Sequence, residues 1–321
     1  MTTVSIQKCR TYDNAELTST LTEAVKLLGG FSHFVKRQDK VLLKPNFVFA
    51  EVAEKGSTTH PAFLLAVARL VKDCGAIPVV VDSPGFGSVR QVIRKLGIEA
   101  ELSSLGIAFS ELKRNRIVST SNLNLAKGIE FERISISADV FEADVIINLP
   151  KLKAHSQLLV TGAVKNLYGL VKGKRKAWRH FCSRGHLDKF ARMLIANTLM
   201  CKPALTILDG VLAMERTGPR RGDMRNLGLI VAGDNPIAVD RVVADVIGLD
   251  PMRWTILRAA KELGAQGWDI ESIQLLGEPI ENVRVDDFRL PTTLTDIGFD
   301  IPRMIKSAAR HQLRKLELIG G

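Results

Sequence analysis

The chain has 321 residues, 46% hydrophobic and 25% charged, with a formal net charge of +11 from 45 Lys and Arg against 34 Asp and Glu. That balance excludes disorder, collagen and coiled coil as the main architecture and leaves one large or two moderate globular domains. The positive excess points to an anionic partner: nucleic acid, an acidic membrane face, or a phosphate or carboxylate substrate.

In chain order, Val41-Leu42-Leu43 reads as a buried strand ending in Lys44-Pro45-Asn46. Ser57-Thr58-Thr59-His60-Pro61 opens the next element, with Thr59 or His60 in the cap region and Pro61 in the first turn. Phe63, Leu64, Val67, Leu70 and Val71 recur at helical spacing to about Asp73, where Cys74-Gly75 closes the helix. Residues 77–81 form a second strand that ends at Asp82-Ser83-Pro84-Gly85, and a helix follows from about Ser88 to Leu96. This β-α-β-α order predicts a parallel sheet with helices on its faces. A more polar stretch, 103–132, precedes a strand at 144–148.

The second half repeats the style. It gives a helix at 186–200, a strand at 204–208 ending in Asp209-Gly210, and a strand at 227–231 ending in Gly233-Asp234. Asn235-Pro236 caps a helix through Val246, another helix spans about 253–263, and a late strand falls near 271–276. Ile301, Met304, Ile305, Ala308, Leu313 and Leu316 share one helical face of a basic tail. The expected fold is α/β, a mostly parallel sheet or sheets with helices on both faces. Two lobes (1–140 and 141–300) with a cleft between them are expected, plus a basic amphipathic C-terminal helix at 301–321.

The charge is unevenly placed. Residues 151–192 hold eleven Lys and Arg and one acid, Asp188, a local net charge of +10, and the tail adds +4, so the remainder is slightly acidic. No stretch approaches eighteen uninterrupted apolar residues, so no spanning helix is expected. The start lacks an apolar signal core, and Cys9, Cys74, Cys182 and Cys201 are scattered without C-x-x-C spacing. These features suit a reducing, cytoplasmic setting and make an iron–sulfur cluster unlikely.

Lys44, Asn46, Asp82, Asn148, Lys151 and Asp209 all stand at or just past predicted strand ends. Ligands of open α/β sheets bind at that edge. The helix start at Thr59-His60 offers exposed N–H groups to an anion. The Asp82–Gly87 loop lacks the third glycine of a dinucleotide fingerprint, with Arg90 where Gly or Ala would stand, and reads as a Pro-Gly turn. The richest segment runs from Asn148 through Lys151, Lys153, His155, Lys165, Asn166 and Lys172 to His180. Clustered cations lower one another's pKa, which leaves an amine nucleophilic near neutrality, and Lys165, flanked by small residues, is the candidate. His155 and His180 titrate in the range of acid–base partners. The same basic residues also suit a solvated anion-attracting loop. The run Lys172–His180, with Trp178, mixes cations and an aromatic as single-strand binders do. Nothing indicates an H-E-x-x-H metal motif, a Walker loop or a G-x-S-x-G elbow, and the metal is left unknown.

Together, residues 41–46, 58–61, 82–85, 145–155, 161–169, 208–210 and 233–236 resemble, from about residue 40 to 265, the family called "domain of unknown function 362". The resemblance implies a bacterial or archaeal protein. Many family members carry ferredoxin-like iron–sulfur motifs, whose cysteines this chain lacks, so no cluster role is carried over. The spacing is also similar to that of the nickel-pincer lactate racemases, in which a lysine contacts the pincer and a histidine stands ten residues before it. Here His155 precedes Lys165 by ten, His180 follows by fifteen, and His60 matches an earlier histidine.

The expectation is therefore an enzyme of isomerase-, racemase- or transfer-like chemistry on a small carboxylate or phosphate in a Lys/His-lined cleft. Lys165, His155 and His60 are its catalytic candidates. Lys44, Asn46, Thr59, Asp82, Lys151, Lys153, Asn166 and Asp209 are its anion-binding candidates, and the cofactor is unknown. A nucleic-acid or polyanion binder, and a docking or redox-partner protein whose basic face meets an acidic protein, are the alternatives.

Overall fold

The computed structural model of the chain describes residues 2–125, 129–173 and 186–294. The expected C-terminal helix at 301–321, His180, Trp178, Cys182 and most of the run from Lys172 lie outside the described residues.

The strands are β1 (Thr2–Lys8), β2 (Lys40–Pro45), β3 (Ile77–Asp82), β4 (Ala108–Glu111), β5 (Asn115–Ser119), β6 (Arg133–Ser137), β7 (Val145–Leu149), β8 (Lys151–His155), β9 (Leu159–Thr161), β10 (Leu205–Glu215), β11 (Asp223–Gly233) and β12 (Ile273–Gly277). The helices are α1 (Asn14–Lys26), α2 (Phe31–Phe34), α3 (Pro61–Asp73), α4 (Val89–Lys95), α5 (Glu99–Ser104), α6 (Asp139–Glu142), α7 (Ala163–Leu167), α8 (Leu187–Cys201), α9 (Pro236–Val246) and α10 (Thr255–Glu262).

One sheet organises the described chain, in the order β12-β1-β11-β10-β7-β2-β3-β4. Strands β4, β3, β2, β7 and β10 run parallel, and β11 and β1 join as antiparallel neighbours. The boundary expected near residue 140 falls between strands that are side by side in this sheet, since Val41 through Pro45 of β2 pair with Val145 through Leu149 of β7. The first strand, which the hydrophobic pattern did not reveal, lies between β11 and β12.

The parallel strands are buried on both faces, and period two divides their side chains. Val41 and Leu43 pack with Phe63, Leu64 and Val67 of α3 on one side. Leu42 and Ile146 belong to the other side, with Val164, Leu194 and Val243 from α7, α8 and α9. The layering is helix, sheet, helix, the doubly covered α/β arrangement expected.

Three local outcomes position the site. Strand β10 does not stop at Asp209 but runs on to Glu215, because its partner changes from β7 to β8 and pairing with β11 continues. Pro150, which has no N–H to give a ladder, separates β7 from β8, and its carbonyl accepts from Asp209 N at 2.9 Å. Strand β8 then folds back on β9, which sets Lys153 directly opposite Thr161. Within the polar stretch 103–132, β4 lies at the sheet edge and β5 pairs with β6 in a small separate ribbon. No helix among the described residues is long and apolar enough to cross a membrane.

Candidate functional site

Past the end of β7, the alternation of β8 turns Lys151, Lys153 and His155 to one face, each of them buried. Lys44, at the end of β2, and Lys165, on α7, come from two further elements, Lys44 buried and Lys165 partly accessible. Lys44 stands more than a hundred residues before the other three amines, yet the fold brings its charge within reach of theirs.

Two of the four amines are neutralised. Lys44 Nζ lies 3.0 Å from Asp82 Oδ1, and the other Asp82 oxygen accepts from Phe47 N at 2.8 Å. Lys151 Nζ lies 2.8 Å from Asp209 Oδ2 and donates to Tyr12 Oη at 2.7 Å. Tyr12 in turn donates to Asp209 Oδ1 at 2.6 Å, and Asp209 Oδ2 accepts from the His60 backbone N–H at 3.0 Å. Burial lowers the Lys44 and Lys151 amines, and their carboxylates oppose that shift. Burial, and after it the neighbouring Asp209, raises the Tyr12 phenol, which stays protonated.

The other two have no carboxylate within salt-bridge reach among the described residues. Lys153 Nζ donates to Asn46 Oδ1 at 2.6 Å and to the Ser57 carbonyl. Burial holds its pKa well below the usual lysine range, and the Lys165 charge is the strongest neighbouring contribution in the same direction. Lys165 makes no hydrogen bond or ion pair among the described residues, and burial pushes its amine down to about 8.

An amide relay fixes the geometry between these groups. Asn46 Nδ2 donates to Asn166 Oδ1 at 2.9 Å, and Asn166 Nδ2 donates to Asn148 Oδ1 at 2.8 Å and to the Lys44 carbonyl at 3.0 Å. Asn148 Nδ2 reaches the Ala163 carbonyl at 3.0 Å, so the relay ties β2 and β7 to the start of α7. The same turn is held from behind by Asp240, whose carboxylate accepts from Ala163 N at 2.6 Å and Val164 N at 3.0 Å. Burial raises Asp240 to about 7. At Gly162 an added Cβ would collide with Asp240, and at Gly169 with Lys44 and Asp82, so both glycines are required by close approach.

The expected residues thus take different parts. The Thr59 hydroxyl accepts from Asn46 N at 2.8 Å and donates to the Leu149 carbonyl at 2.7 Å, so its proton is committed to holding the loop on β7. His60 is the N-cap of α3, its Nδ1 accepting from Ala62 N at 3.3 Å, and its ring stacks on Tyr12 with centroids 3.6 Å apart. Burial lowers its pKa to about 4. His155 Nδ1 accepts from Gln157 N at 3.1 Å, which in the neutral ring leaves the proton on Nε2.

Sequence reasoning missed Tyr12, Asp240 and three hydroxyls. Ser57 Oγ, Thr58 Oγ1 and Thr161 Oγ1 are buried with no hydrogen-bond partner among the described residues. The motifs containing Ser57 and Thr161 were visible, but an unpartnered hydroxyl is a property of the folded surroundings alone. No group of three or more His, Cys, Asp or Glu side chains that could hold a metal gathers among the described residues. Cys9, Cys74 and Cys201 are free thiols.

A family model described as "Domain of unknown function (DUF362)" matches residues 41–245. A curated relative, a thylakoid-associated protein of Synechocystis sp., is 37% identical over 308 residues, 96% of this chain and 94% of that one. Among solved structures, a protein from Thermotoga maritima aligns at 14% identity and a TM-score of 0.43, covering 68% of this chain and 56% of that one. The lactate racemase apoprotein of Thermoanaerobacterium thermosaccharolyticum aligns at 12% identity and a TM-score of 0.43, covering 72% and 54%.

Proposed function

Because the chain belongs to the family described as "Domain of unknown function (DUF362)", we propose its function from the chemistry of its own site: it acts as a cytoplasmic enzyme on a small anionic substrate. The observation that carries this reading is the surplus of lysines over carboxylates at one sheet edge, four amines against Asp82 and Asp209. Burying an uncompensated charge costs several kcal/mol, and a protein retains it where a ligand supplies the counter-charge.

In this reading Lys153 and Lys165 hold the anion. Lys165 is the reacting amine, since with a pKa near 8 about a tenth of it is neutral and nucleophilic at pH 7. His155, on the same strand face as Lys153, exchanges protons with the substrate. His60 is a positioning residue: with Nδ1 capping α3 and a pKa near 4, it keeps Tyr12 stacked and the Lys151–Asp209 pair in place. Lys44, Asn46, Asp82, Asn166, Lys151 and Asp209 form the frame that aims the free amines. The chemistry is of the proton-moving or group-transfer kind, which such a pair of amines and an imidazole supports.

The test is a melting-temperature screen of the purified protein against small carboxylates and phosphates. Binding to the native state alone stabilises it by RT ln(1 + [L]/Kd), about 2.7 kcal/mol at a hundred-fold excess over Kd. The expected result is stabilisation by at least one anion class that is lost in Lys165→Met. A protein that melts identically in all of them does not bind a small anion.

A further inference from the structure

We infer that the uncompensated part of this lysine cluster, Lys153 and Lys165, is a subsite for a dianionic phosphoryl group, the head of a phosphomonoester substrate. The inference rests on the small-anion reading above and specifies its ligand.

Donor number and charge together make the argument. Lys153 uses two of its three N–H groups on Asn46 Oδ1 and the Ser57 carbonyl, which leaves one. Lys165 makes no hydrogen bond among the described residues, so all three of its N–H groups are available. Thr161 stands directly across from Lys153 in the β8–β9 ladder, which puts both side chains on one face with Cβ atoms about 5 Å apart. Its hydroxyl has no partner among the described residues. The segment whose carbonyl accepts from the Lys153 amine also carries the buried Ser57 and Thr58 hydroxyls, equally without partners among the described residues.

A buried hydroxyl left unsatisfied is costly, and three on the two segments that meet Lys153 are more than packing asks for. A carboxylate has two oxygens and one charge, too few acceptors and half the charge for this set. A phosphoryl group carries close to two negative charges near neutrality and three terminal oxygens. It matches the two amines in charge and leaves acceptors for the hydroxyls. Lys44 and Lys151 already have their counter-charges in Asp82 and Asp209 and do not compete for the ligand's charge.

Titration calorimetry of the full chain at pH 7 and low salt, with inorganic phosphate, acetate and malonate as probes, tests this. Phosphate is expected to bind at least ten-fold more tightly than acetate or malonate. Thr161→Val, which removes only the hydroxyl, is expected to weaken phosphate about ten-fold or more, the worth of one hydrogen bond to a charged group. Because that hydroxyl is unsatisfied in the free protein, Thr161→Val is also expected to melt no lower than the parent. Lys153→Met is expected to abolish phosphate binding while circular dichroism and melting show a folded chain. Acetate or malonate binding as tightly as phosphate, or phosphate binding unchanged in Thr161→Val, overturns the phosphoryl assignment and leaves the small-anion reading standing. No binding of any of the three removes both.

Discussion

Lys151 and Lys153 stand two residues apart on one strand face, both buried, and meet opposite surroundings. Lys151 has Asp209 and Tyr12 around its amine. Lys153 has an amide oxygen, a carbonyl and the repulsion of Lys165. The same division separates Lys44, paired with Asp82, from Lys165, which has no counter-charge among the described residues. Lys44 and Lys151 are electrostatically complete without a ligand, and among the described residues Lys153 and Lys165 are not. A completed pair holds strands together, and in the function proposed above the incomplete pair is where a ligand's charge is taken up.

The largest effect should come from breaking a completed pair. Asp209→Asn keeps the shape but strands the Lys151 charge, and a loss of about 3–5 kcal/mol in urea unfolding is expected. A loss below about 1 kcal/mol would erase the distinction drawn here. Next is Gly169→Ala, which pushes a methyl group into the Lys44–Asp82 pair and should cost roughly 1–3 kcal/mol. The other two amines should respond less. Lys153→Met removes a buried amine that has no carboxylate but leaves Asn46 Oδ1 and the Ser57 carbonyl without its N–H groups, so the two effects oppose and the net change in unfolding measurements should stay within about 1 kcal/mol even as anion affinity is lost.

The last test is a dependence on pH and concerns Lys165. The native amine loses its proton near 8, whereas an unfolded lysine holds its proton to about 10.4. Between those values the unfolded chain binds more protons, so native stability rises with pH across that window. The Lys165→Met protein lacks this rise, so the parent should gain stability relative to it from pH 8 to pH 10.5 in parallel denaturation curves. A constant difference between the two curves would mean that the Lys165 amine is not desolvated in the native state.

Much of the fold was legible because local signals were strong. Pro61 in the first turn and apolar residues at helical spacing placed the helix from 61 to 73 where it lies, and the runs at 41–43 and 145–148 are the near-continuous apolar strands of a doubly covered sheet. The extension of β10 beyond Asp209 and the insertion of β1 between β11 and β12 were not, because pairing partners decide them. At the site, the concentration of lysines in 151–165 was visible in the sequence as charge. Which of those lysines are neutralised was not, since Asp82, Tyr12 and Asp209 come from distant parts of the chain.

By itself, then, the sequence determined the layered α/β architecture and the strand ends on which the chemistry-bearing residues stand, because helix and strand periodicities and Pro, Gly and Asn capping act over a few residues. Tertiary structure alone decided that Thr59 is a tether, that His60 is a cap stacked on Tyr12, and that Lys153 and Lys165 have no counter-charge among the described residues. The physical reason is that burial and charge compensation depend on neighbours up to about two hundred residues away in the chain, such as Tyr12 and Asp209, which only the closed sheet brings within hydrogen-bonding distance.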